Sequence, residues 1–228
     1  RKVTAADLAG LNEDITPAEV ESILLILKSW KAPGGDRIPV DFMKLFIGPK
    51  GAITPAIAAL TNICNKMFRE GVIPDVWTTA MVVSIFKKGD PTDCGNYRGI
   101  SLMDSTLKVL LTILTARLQR TLELRGMVVR EQAGFRPKEE CMGQVMTLYE
   151  ILRRRYLNQE NTYLLFLDFQ KAYDVVPHGA LFRELEVLGI TGRILTFIKV
   201  LYARSRVAVR TVDGRPGPAF SLERGLRQ

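Results

Sequence analysis

One segment constrains this chain more than any other. Tyr163-Leu164-Leu165-Phe166-Leu167 is an unbroken apolar run that leads straight into Asp168. Such a run predicts a strand buried on both faces, because a half-solvated strand alternates apolar with polar residues. A strand of that kind needs neighbours within a sheet and a layer packed over it. It also leaves a carboxylate at its end, where burial is costly unless a cation or a donor meets the charge.

The rest of the chain reads as helices interleaved with a few strands. Thr16-Pro17-Ala18-Glu19 is a capping box with proline in the first helical position. Val20, Ile23, Leu24, Ile26 and Leu27 keep helical spacing after it, up to Trp30. Lys31–Asp36, with its proline and paired glycines, predicts a turn. Further helices are expected over Val40–Phe46, Thr54–Glu70, Ser105–Leu124, Gly143–Leu157, Ala180–Leu188 and Arg193–Tyr202. Met81–Phe86 predicts a strand that turns through Lys87-Lys88-Gly89-Asp90-Pro91 and returns along Asn96–Leu102. Val207–Val212, the Asp213-Gly214 turn and Ala219–Leu222 predict a second hairpin. The fold class expected is α+β, a largely antiparallel sheet with helices on one side.

With 47% hydrophobic and 25% charged residues, a chain of 228 residues can bury a real core and is not a disordered tail. Its net charge of +8 favours a polyanionic partner, nucleic acid or an acidic membrane surface. Cys64, Cys94 and Cys141 are odd in number and widely spaced, so neither a disulfide framework nor a CxxC zinc site is expected. No apolar stretch approaches the ~20 residues of a membrane span, so no membrane partner is expected. The sequence opens on Arg1 and closes on Gln228 without a signal peptide or a natural stop, which leads us to expect a piece of something longer.

Four groups of residues could carry chemistry. Asp168 suits a hard divalent cation, which takes oxygen ligands and substrate phosphates; it could equally cap a helix or pair with an arginine. Tyr173 could pack against a sugar or fill core. Lys87 and Lys88 at one strand tip and Arg98 on the returning strand could converge on a triphosphate, or form a solvated basic turn. In residues 192–228 eight basic side chains face two acidic ones. Arg204, Arg206 and Arg210 have even spacing, so a strand would line them along one face, toward a phosphate backbone or simply toward water. Asp174 reads as structural. His178, the only histidine, reads as a hydrogen-bonding residue of a turn.

Taken in order, these blocks resemble the reverse transcriptase domain of non-LTR (LINE-like) retrotransposons. The likeness begins at Trp30-Lys31-Ala32-Pro33-Gly34-Gly35-Asp36-Arg37-Ile38-Pro39, where Gly35 and Arg37 depart from the family's KAPGPDGIP. It continues through Phe86–Asp90, Asn96–Leu102 and Glu131-Gln132-Ala133-Gly134-Phe135-Arg136-Pro137. After that block Glu139-Glu140-Cys141 replaces the usual Arg-Ser-Thr. Leu167–Asp174 is similar to the first catalytic motif, and Gly225-Leu226-Arg227-Gln228 to the opening of the next.

The resemblance implies a right-hand polymerase: a helical N-terminal extension over 1–75, fingers over 76–158 and the start of a palm over 159–228. It implies that Asp168 and the carbonyl of Phe169 bind Mg²⁺ or Mn²⁺, and that Lys88, or else Lys87, grips the triphosphate with Arg98. Tyr173 would sit under the incoming sugar, Gln228 would line the nucleotide pocket, and Arg136 would meet the template. It implies an RNA template, a DNA primer and deoxynucleoside triphosphates as partners, inside the cell with a nuclear stage. The Tyr/Phe-Ala-Asp-Asp motif that supplies the family's other catalytic carboxylates is not among these residues, so this piece alone is expected to be inactive. The rival from another class is a non-catalytic nucleic-acid binder kept for its basic surface.

Overall fold

The computed structural model describes residues 2–49, 52–136, 139–211 and 213–226. Its N-terminal third is helical because the caps make it so. In α1 (Ala5–Asn12) and α2 (Pro17–Ile26), Thr4 and Thr16 each accept the N–H of an acidic residue three positions on, and Asp7 and Glu19 reach back to the threonine N–H. Helix α2 stops at Ile26, short of the expected Trp30, and Trp30 itself adopts a positive φ of 58°. Two more helices follow, α3 (Val40–Lys44) and α4 (Pro55–Glu70), the latter closed by Gly71 in the left-handed conformation.

Helix α5 (Ser105–Leu124) has the bounds its periodicity predicts and forms the centre of the core. Leu107, Leu110 and Ile113 are buried with Leu24 of α2 and Ile57 and Phe68 of α4. Helix α8 (Arg193–Arg204) joins them through Phe197, whose ring meets Phe68 edge-on at 6.1 Å. The core thus draws on residues of all three segments, 1–75, 76–158 and 159–228. Asn65, buried on α4, accepts the N–H of Ile15 at 2.7 Å and donates to its carbonyl at 2.8 Å, tying down the linker before α2.

The sheet has the strand order β2-β1-β3-β4, with β1 at Thr79–Phe86, β2 at Tyr97–Leu102, β3 at Arg206–Val209 and β4 at Phe220–Ser221. β1 pairs with β2 and β3 with β4 antiparallel, and β1 with β3 parallel. Mixed helix and sheet is the class expected. Helices α6 (Cys141–Leu157) and α7 (His178–Val187) complete the regular elements, and α6 buries none of its residues. Among the described residues no helix is long and apolar enough to cross a membrane.

Two expectations are corrected. Tyr163–Leu167 is not a strand: it is irregular and exposed, with Leu165 at 83%. An apolar run becomes a buried strand only when another strand takes up its N–H and C=O groups, and none of β1–β4 pairs with it. Arg204 does not share a strand face with Arg206 and Arg210, because it ends α8 and β3 starts at Arg206.

Candidate functional site

The β1–β2 hairpin decides which cations converge. Ile85 lies opposite Arg98, and the Lys87 N–H donates to the Asn96 carbonyl at 2.9 Å, which extends the register past the strand end. Directly opposed residues share a face, and alternate residues return to it, so Lys87, two residues past Ile85, belongs on the side of Arg98, whereas Lys88 lies beyond the paired register, in the bend that follows. Between Lys87 and Lys88 on one strand and Arg98 on the other, the turn is built from its own side chains. The Asp90 carboxylate accepts the N–H and hydroxyl of Thr92 at 2.8 and 2.7 Å, which holds its carboxyl below the usual range. Asn96 donates to the Asp90 carbonyl at 3.0 Å, and the Tyr97 hydroxyl to that of Pro91 at 2.8 Å. Gly89, at φ +96°, leaves room for the Asn96 amide; a Cβ there would come within 2.8 Å of it. All three cations are exposed, and among the described residues none of them is in an ion pair.

A second convergence brings together three blocks that are remote in sequence, and it centres on Tyr173. The Tyr173 ring meets Phe135 edge-on, centroids 5.9 Å apart and planes at 87°. The Tyr173 carbonyl accepts the N–H of Leu226 at 2.8 Å. Gly225 N–H donates to the Val176 carbonyl at 2.9 Å, and Pro177 bridges to Arg224, so 173–177 and 224–226 run side by side. Tyr173 is partly exposed, which disfavours the core-filler alternative.

Asp168 and Phe169 lie on the exposed loop that leads into this cluster. Among the described residues nothing caps or pairs the Asp168 carboxylate, and α7 begins far downstream with Pro177 at its cap. The Asp168 carboxylate and the Phe169 carbonyl are hard oxygen donors on adjacent residues, and that donor chemistry fits Mg²⁺ or Mn²⁺. Among the described residues no three His, Cys, Asp or Glu gather around them or elsewhere.

The remaining candidates are dispersed. Arg136 is engaged by Glu123 through two bonds of 2.9 and 2.7 Å and donates to the carbonyls of Val129 and Gln132, so it folds its own loop back onto the end of α5. Arg204 pairs with Asp75 and donates to the Ile73 carbonyl. Arg206 donates to the Ala219 carbonyl at 2.9 Å, and Arg210 is exposed just beyond β3. Gln228 lies outside the described residues. Phe135 stands in the sequence only as a member of its block; its contact with Tyr173 and its φ of +62° emerge in the fold. A bulky residue in the left-handed region marks a strained position, and such positions gather at functional sites.

Comparison with known proteins gives the chain a family. Residues 85–228 match the family described as reverse transcriptase (RNA-dependent DNA polymerase). The chain is 27% identical over 217 residues to the RNA-directed DNA polymerase from mobile element jockey of Drosophila funebris, covering 95% of this chain and 23% of that protein. It is 25% identical over 214 residues to the retrovirus-related Pol polyprotein from type-1 retrotransposable element R2 of Popillia japonica, covering 93% and 28%. It is 30% identical over 163 residues to the probable RNA-directed DNA polymerase from transposon X-element of Drosophila melanogaster, covering 71% and 17%. The chain spans about a quarter of the length of the first two.

Proposed function

Because this chain belongs to the reverse transcriptase family, we propose that it works within the RNA-directed DNA polymerase of a non-LTR retrotransposon. The observation that carries the proposal is the meeting at Tyr173 of the blocks around Phe135, Asp168–Asp174 and Gly225-Leu226. The resemblance joins those blocks through a common function, and their contact in one folded chain supports a shared site.

In the reaction, a primer 3′-hydroxyl attacks the α-phosphate of a deoxynucleoside triphosphate opposite an RNA template, and pyrophosphate leaves. Asp168 and the Phe169 carbonyl would hold a divalent cation, Mg²⁺ or Mn²⁺, whose chemistry is to lower the hydroxyl pKa and offset charge on the leaving group. Arg98 offers a planar fork of donors, and Lys87 a mobile charge on the same hairpin face, to grip the triphosphate. Lys88 would approach from the bend beyond the paired strands. Tyr173 would stand under the sugar, where a ring collides with a 2′-hydroxyl. Gln228 would line the same pocket. Arg206 and Arg210 would track the nucleic-acid backbone, whereas Arg136 and Arg204, held by Glu123 and Asp75, would act by shaping the surface around it.

The test is primer extension on an RNA template by the full-length protein and its Asp168→Asn variant. Extension by the wild type and its loss in the variant, with template binding retained, are expected. Extension by the variant would overturn the role of Asp168. A wild type that binds RNA but never extends a primer would establish the non-catalytic binder instead.

A further inference from the structure

His178 is the only histidine of the chain, and the reaction above does not use it. Its Nε2 lies 2.9 Å from the Gly225 carbonyl oxygen. A carbonyl can only accept, so the hydrogen belongs on Nε2 and the ring donates. The next atom along the chain is the Leu226 nitrogen, whose N–H donates to the Tyr173 carbonyl at 2.8 Å. The Gly225 oxygen and the Leu226 N–H are two ends of one peptide group, which is planar and stiff. One rigid plane is therefore held at its oxygen by His178 and holds Tyr173 by its nitrogen.

The surroundings favour an orienting role over a merely adhesive one. The imidazole packs 4.7 Å from the Tyr202 ring and also lies against Phe182, so its donor cannot swing freely. Leu226 and Tyr202 both line an apolar cavity of about 440 Å³ between α5, α7 and α8. A side chain at the rim of a cavity leaves the rotation of its own peptide open, and hydrogen bonds at both ends of the Gly225–Leu226 peptide set it. Gly225 has φ +97°, and a Cβ would come within 3.1 Å of the Asp174 carbonyl oxygen, so the strip can lie this close to 173–176 only with glycine there.

We propose that His178 is a positioning residue for sugar selection: through the Gly225–Leu226 peptide it sets the backbone of Tyr173, and with it the height of the ring. The proposal rests on the reading of Tyr173 as the residue beneath the incoming sugar.

The test uses the full-length protein and two readouts, hydrogen exchange over peptides containing Leu226 and the preference for deoxynucleoside over ribonucleoside triphosphates. His178→Phe keeps the aromatic packing and removes the donor, and His178→Gln returns a donor at nearly the Nε2 position. His178→Phe is expected to speed exchange at Leu226 and to lower sugar preference about tenfold, the scale of one hydrogen bond. His178→Gln is expected to restore both. Unchanged exchange in His178→Phe would overturn the clamp. Faster exchange with sugar preference intact, while Tyr173→Val loses that preference, would overturn its role in selection. If Tyr173→Val itself keeps full preference, the reading of Tyr173 fails and the sugar-selection role falls with it. The exchange arm then still decides the clamp separately.

Discussion

Phe135 and Tyr173 meet edge to face at 5.9 Å although they stand in different sequence blocks and neither lies in a helix or strand. Phe135 holds a positive φ of 62° beside that contact. Edge-to-face pairs contribute about 0.5–1.5 kcal/mol beyond their buried area. Phe135→Ala is therefore expected to loosen sugar selection in the same direction as changes at Tyr173, and by less. A double-mutant cycle with Tyr173→Ala, read as nucleotide preference, should return a coupling of about 1 kcal/mol. A coupling near zero would make the contact incidental.

Tyr173→Val is expected to admit ribonucleotides, with preference for deoxynucleotides falling by roughly 10- to 100-fold, the span that small volume changes produce in a shaped pocket. The effect belongs in kcat/KM for the ribonucleotide, with kcat for the deoxynucleotide little changed. Steady-state incorporation of both sugars opposite one template base checks it.

The hairpin makes a separable prediction. Arg98 and Lys87 share a face within the paired register and Lys88 lies in the bend beyond it, so Arg98→Ala and Lys87→Ala should raise KM for the nucleotide several-fold more than Lys88→Ala does. Equal effects of the two lysines would show that the turn brings both to the nucleotide.

Helices α2 and α5 are joined by Arg117, which donates to both carboxylate oxygens of Glu19 and to the carbonyls of Glu13 and Asp14. Burial pushes the Glu19 carboxyl up, but the Arg117 guanidinium and the Thr16 N–H more than offset it and hold the group below its usual range. A carboxyl depressed in the folded state stabilises the fold above its unfolded pKa, and that contribution is lost as pH falls through the folded value. Wild-type stability should therefore decline as pH drops below about 4, a decline that Arg117→Met should flatten. At neutral pH the same variant should lose about 1–3 kcal/mol, since it strands a partly buried carboxylate, while the exposed Glu13 and Asp14 carbonyls turn to water. Urea unfolding at several pH values measures both.

Asn65→Ala leaves the N–H and C=O of Ile15 without the two bonds that Asn65 supplies in the core. A loss of about 2–4 kcal/mol is expected, visible as a lower urea midpoint with unchanged slope. A loss below about 0.5 kcal/mol would mean that the linker finds other partners.

Much of this molecule could be read from residues close together in the chain. The capping box at Thr16, the full length of α5 and the turn of the Lys87–Arg98 hairpin follow from periodicity, proline and glycine placement, and caps, all of which act within a turn or a strand pair. The α6 and α8 helices came within two residues of their expected ends for the same reason. Other features depend on partners that no local pattern names. The apolar run Tyr163–Leu167 has the composition of a buried strand yet lies exposed, because burial requires another strand to accept its backbone. Arg136 and Arg204 look like free cations in sequence and are tied to Glu123 and Asp75 in space. The cluster of Phe135, Tyr173, His178 and Leu226 arises from packing over long sequence separations, where contact is decided by how whole helices settle against one another rather than by any residue's own preference.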